Sequence, residues 1–137
     1  MVDYLNITND KLNLEDINEK VSSPECGAIS IFIGTTRNTM GDKKVARLEY
    51  ESYDSMAFKE MKKICNYIRE TWPSIRNIAI YHRIGYVAIK EASIIIAISS
   101  PHRKDSLEAV NYCINQVKTT VPIWKKVKYF NLKILFK

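Results

Sequence analysis

Residues Ala92 to Ser99 read ASIIIAIS, and this very apolar run is the strongest strand signal in the chain. It follows a turn at Gly85. Beyond it, Ser99 or Ser100 can cap a helix with Pro101 near its first position. In that helix Leu107, Val110, Ile114 and Val117 recur at inward spacing, and it ends near Lys118. The rest of the chain alternates in the same way. A short strand at about Leu5 to Thr8 precedes a helix carrying Leu14, Ile17 and Val21, which ends at Ser22, Ser23 and Pro24. Gly27 to Thr35 (GAISIFIGT) reads as a buried strand and Arg37 to Lys44 as a polar loop. Val45 to Tyr53 is the returning strand. Asp54 can cap a helix to about Trp72, with Met56, Met61, Ile64, Cys65, Ile68 and Trp72 as its apolar stripe, and Ile78 to Ile84 follows as a strand. Strands joined by short loops, with helices packed on them, predict an α+β sandwich.

Composition narrows the class. At 137 residues, 46% hydrophobic and 26% charged, the chain can bury one domain's core and does not read as disordered. Three of its six net positive charges lie in Val127 to Lys137, a stretch without an acid, and the remaining +3 is a weak argument for nucleic acid. No apolar stretch approaches the ~20 residues that span a bilayer. The N-terminus has no basic region followed by an apolar run. Cys26, Cys65 and Cys113 are odd in number and widely spread, which suits free thiols and a cytosolic location.

The basic residues concentrate at element ends. Lys118 closes a helix, Pro122 bars its continuation, and Trp124, Lys125 and Lys126 follow. A turn at Pro122 folds Lys118 and Lys125 toward each other. Ammonium groups so crowded repel, and such a pair loses a proton more readily than a lone lysine. The segment therefore suits an anionic substrate and nucleophilic or acid–base chemistry. Arg37 follows the end of the GAISIFIGT strand, and His102 and Arg103 occupy a helix start, where free N–H groups favour anions. A helix from Arg103 to Lys118 is about 24 Å long at ~1.5 Å per residue, so its two ends share a small ligand only if a loop or a second subunit closes the distance, which hints at a site shared across a dimer. The plainer alternatives are solvated charges at element ends, Trp124 as a core anchor, and His82 as a structural histidine rather than a base. Cys65 and Cys113 fall at inward helix positions, which speaks against thiol catalysis. Two unpaired histidines give no zinc pattern, and no Gly-rich phosphate loop or nucleophile elbow occurs.

Taken in order, several segments resemble the large, catalytic subunit of molybdopterin synthase, in its eukaryotic form. They are Cys26 to Asn38, Leu48 to Tyr53, Met56-Ala57, His82 to Gly85, Glu91 to Ser100, His102-Arg103, and Lys118 to Lys126. The resemblance covers about residues 4 to 126. It implies a hammerhead-like, single-domain α/β sandwich over residues 1–126, with a mixed or antiparallel sheet, followed by a divergent basic and apolar tail over 127–137. It also implies an enzyme of molybdenum cofactor biosynthesis, a sulfurtransferase that converts cyclic pyranopterin monophosphate to the molybdopterin dithiolene. Lys118 and Lys125 match the catalytic lysines. Arg37, His102, Arg103 and Lys126 match substrate-binding positions. The sulfur arrives as the C-terminal thiocarboxylate of a ubiquitin-like small subunit, and two large subunits form the central homodimer of a heterotetramer. No cofactor, metal, nucleic acid or membrane is implied.

After Lys126 the resemblance stops, and the acidic residue usual there is replaced by Val127. Every residue type in the tail can be written with A/T-rich codons, and Lys126-Val127-Lys128 is compatible with a splice-donor-like message, which suggests translated intron. An uninterrupted transcript through Lys137 with abundant protein ending there rules that out. Ile134, Leu135 and Phe136 make the tail sticky if exposed. The competing functions are a degenerate subunit that keeps partner binding, and a basic module for RNA or an acidic protein.

Overall fold

The computed structural model describes residues 1–130. Its elements run β1 (Asp3–Thr8), α1 (Leu14–Val21), β2 (Ala28–Thr35), β3 (Thr39–Met40), β4 (Lys43–Ser52), α2 (Asp54–Thr71), β5 (Ile78–Arg83), β6 (Gly85–Ala88), β7 (Ala92–Ser100), α3 (Arg103–Thr120) and β8 (Ile123–Tyr129). One sheet has the order β1-β5-β7-β2, with β1 parallel to β5 and the other pairs antiparallel. In the other, β4 is the spine, pairing antiparallel with β3, β6 and β8. The fold is α+β, with mixed and antiparallel sheets and packed helices.

The apolar run of β7 explains the layering. Ile94, Ile96 and Ile98 meet Met61, Ile64 and Ile68 of α2 and Cys113 and Val117 of α3. Ile95 and Ala97 point the other way, to Ile17 and Val21 of α1. A strand apolar on both faces belongs inside a sheet covered on both sides, and each buried isoleucine contributes roughly 1.5–3 kcal/mol. At the sheet's β1 edge, Asp3 accepts hydrogen bonds from Arg69 at 2.6 Å and Lys62 at 2.6 Å, tying the strand to α2.

Several local expectations are revised. Leu107 and Met56 are exposed, at 56% and 48%, because Ser106 and Ala109 take the inward places on α3 and Ala57 that on α2. Pro101 lies outside α3, whose N-cap is His102. The Ser100 hydroxyl instead accepts from the Ser106 N–H at 3.2 Å. Strand β8, for which the sequence pattern carries no strand expectation, pairs Val127 with Leu48 and Tyr129 with Val45. Ile134, Leu135 and Phe136 lie outside the described residues.

Candidate active site

Between the two sheets and the C-terminal half of α3 lies a cavity of about 610 Å³. Three segments far apart in sequence bring cations to it. Lys118 comes from the last turn of α3, Lys125 from β8, and Arg37 from the loop after β2. The turn at Pro122 does what its position suggests. Val121 N–H still bonds back to Val117 O at 3.2 Å, while Pro122 O accepts from Tyr53 N–H at 3.0 Å. The chain then enters β8 with Lys125 opposite Tyr50. Alternation along β8 turns Ile123 and Lys125 to the cavity.

The base of the Arg37 loop is held by backbone bonds from Thr36 N–H to Glu91 O at 3.2 Å and from Lys90 N–H to Thr36 O at 2.9 Å. Glu91 is fixed in turn by the Ala88 N–H at 2.9 Å, by Lys11 at 3.2 Å and by Arg83 at 3.3 Å. The Ala88 N–H, reinforced by Lys11, holds its carboxyl below the usual range. At the end of β2, Gly34 lines the cavity wall. A Cβ there would stand 2.7 Å from Cγ2 of Ile94, so a larger residue would have to displace the Ile94 side chain that also lines the cavity.

Lys126 pairs with Glu51 at 3.8 Å and Lys128 with Glu49 at 3.5 Å. Arg37, Lys118 and Lys125, by contrast, form no ion pair among the described residues. Cations left without a protein partner around one cavity suit an anionic ligand. His102 and Arg103 are not on this cavity. They stand at the other end of α3, about 22–24 Å from Lys118 at ~1.5 Å per residue. Lys126 is exposed and does not line the cavity either.

Burial pushes the Cys65 thiol up to about 12 and raises Cys113 further, so neither is a thiolate near neutrality. The cavity lining contains no cysteine. It does contain His82, a residue that reads from sequence as structural. The available signal was its place in β5, where it follows Ile78 and Ile80 at strand spacing on one face.

The family model described as "MoaE protein" matches residues 7–120. The chain is 58% identical over 127 residues to a molybdopterin synthase catalytic subunit of Taeniopygia guttata, covering 93% of this chain and 82% of that one. Its structure is similar to the crystal structure of molybdopterin synthase from Staphylococcus aureus, with TM-score 0.87, 38% identity, and 91% and 90% of the two chains covered. It also shares the fold of a protein-protein complex of subunits 1 and 2 of molybdopterin-converting factor from Helicobacter pylori, with TM-score 0.75, 23% identity, and 91% and 88% covered.

Proposed function

This chain belongs to the MoaE family, that of the molybdopterin synthase catalytic subunits in molybdenum cofactor biosynthesis, and from that premise we propose that it transfers sulfur to cyclic pyranopterin monophosphate. The observation that carries the reading is the convergence of Arg37, Lys118 and Lys125 on one cavity without protein counterions. The cyclic phosphate is held by Arg37, whose planar fork suits bidentate contact with phosphate oxygens. The lysines neutralise the incoming thiocarboxylate and exchange protons as sulfur bonds to carbon and the phosphate ring opens; water then cleaves the donor's acyl–sulfur bond, leaving the sulfur on the substrate and the donor tail as a carboxylate. The donor is the C-terminal thiocarboxylate of a small partner subunit. No protein thiol is needed, in keeping with the buried, protonated state of Cys65 and Cys113.

Two copies pair to complete the site, each lending His102 and Arg103 to the other's cavity. Two features support this: the distance along α3, and the unpaired edge of β2, where Ile31 and Ile33 are exposed at 37% and 38%. The reduced thiols and the chemistry suit the cytosol.

An anaerobic turnover assay tests the reading. It combines this chain, cyclic pyranopterin monophosphate and a thiocarboxylated small subunit, with molybdopterin measured as its oxidised fluorescent derivative. Product that vanishes in Lys118→Ala is the expected result. Wild-type chain that binds the small subunit yet yields no product overturns it and points to a subunit that has lost turnover.

A further inference from the structure

On β5, Ile78, Ile80 and His82 project from the same face of the sheet, toward α2 and α3. The first two are core. The third falls where the core gives way to the cavity, and a polar ring stands where an isoleucine would continue the row. His82 is only 7% exposed, flanked in the sheet by Ile7 and Ile94. Its ring meets that of Tyr50 edge-on, with centroids 5.0 Å apart and planes at 66°.

One ring nitrogen is already committed. Nδ1 lies 2.7 Å from the carbonyl oxygen of Arg83, and since a carbonyl only accepts, Nδ1 carries the proton. Burial holds the imidazole below its ordinary pKa of 6.5, so the ring is neutral near pH 7. In a neutral ring with hydrogen on Nδ1, Nε2 is a bare acceptor. Nε2 has no hydrogen-bond partner among the described residues, and the side chain lines the cavity. Nε2 is not shut off from solvent but opens to the cavity, where an N–H or O–H of a ligand can replace water as its donor.

The cavity is thus divided by chemistry. Arg37, Lys118 and Lys125 are exposed at its rim, while the uncharged acceptor is sunk at its floor. We infer that His82 is a substrate-binding residue whose Nε2 accepts a hydrogen bond from an N–H or O–H of the substrate's uncharged heterocyclic part. The rim cations hold the anionic part. The inference rests on the pterin phosphate reading above, and adds to it how the ring system is oriented at the cavity floor. A heterocycle lacking a donor at that point leaves Nε2 unpaired, so the residue also discriminates between ring systems.

Binding of cyclic pyranopterin monophosphate, measured anaerobically by titration, tests this in the wild-type chain and two variants. His82→Asn keeps an amide N–H for the Arg83 carbonyl and deletes the Nε2 position. His82→Gln carries a carbonyl oxygen to about that position. The expected result is binding weakened about tenfold in His82→Asn and largely recovered in His82→Gln. A second measurement needs no variant. The chain has two histidines, so ¹⁵N spectra of histidine-labelled protein resolve His82, which should show the Nδ1–H tautomer and an Nε2 resonance that shifts on adding substrate. Wild-type binding in His82→Asn, or an unmoved Nε2 resonance in saturated protein, overturns the assignment and leaves the sulfur-transfer reading standing. A wild-type chain that does not bind the pterin phosphate overturns that reading and the assignment with it.

Discussion

In the β1-β5-β7-β2 sheet, β7 is buried from Ser93 to Ser100 and both of its faces meet helices. In the sheet built on β4, facing positions hold charges instead: Glu49 lies opposite Lys126, and Glu51 opposite Trp124 with Lys126 within ion-pair distance. The first sheet is held by burial, so its geometry tolerates little change. The second buries less and leaves lysines standing in water. Arg37 and Lys118 reach the cavity from elements of the first layer's rim, Lys125 from the second sheet, and the site occupies the space between. The difference teaches where stability and chemistry are separable. Side chains that hold the first sheet together are poor places for free cations, because a buried charge without a partner is expensive. The thinner sheet can carry such charges at little penalty.

Substitutions can break or sharpen this contrast. Lys118→Ala is expected to lower turnover by about 10²–10⁴-fold, the usual range for losing a proton-transfer group, with an unchanged urea midpoint. A fall in stability of similar size would erase the separation. Ile96→Ala removes a fully buried side chain of β7, and chemical denaturation should show a loss of about 2–5 kcal/mol. A loss under about 1 kcal/mol would mean that the first sheet is not the rigid layer.

Asp3 gives the contrast a pH dependence. Burial alone would raise its pKa, but hydrogen bonds from Lys62 and Arg69 outweigh it and hold the carboxyl below its ordinary 3.8. The unfolded chain therefore takes up this proton first as pH falls. The stabilisation is complete above about 3.8 and is lost as pH drops through the lower folded value. Asp3→Asn should flatten that acid limb of the stability profile, while an unchanged profile would assign it to other carboxylates. The smallest effect is expected at the exposed Lys126–Glu51 pair. Glu51→Gln should change stability by less than about 0.5 kcal/mol, and a larger change would show the β4 sheet to be less forgiving than argued.

The sequence disclosed the first sheet better than the second. The isoleucines of β7 and the stripe of Met61, Ile64, Cys65 and Ile68 are patterns that burial itself imposes. Strands β3 and β6 are two and four residues long, too short for a periodic signal. In β8 the lysines mask the alternation, since outward and cavity-facing positions carry the same residue type. The approach of Lys118 and Lys125 was legible because Pro122 forces a turn between them. That Arg37 joins them was legible only through family resemblance, since it depends on how β2 and β4 are packed. His82 was hidden for a simpler reason: a lone histidine in a strand looks the same whether its second nitrogen meets protein or empty space.

The row Ile78, Ile80, His82 has a consequence for anyone breeding a hardier form of this protein. A screen that rewards survival of heating alone has every incentive to finish the row with a third aliphatic residue. Such a winner would fill the cavity floor with hydrocarbon, melt later and accept the wrong guest or none. Heat selection on this scaffold needs a functional counter-screen at residue 82, because there the path to robustness and the path to recognition diverge.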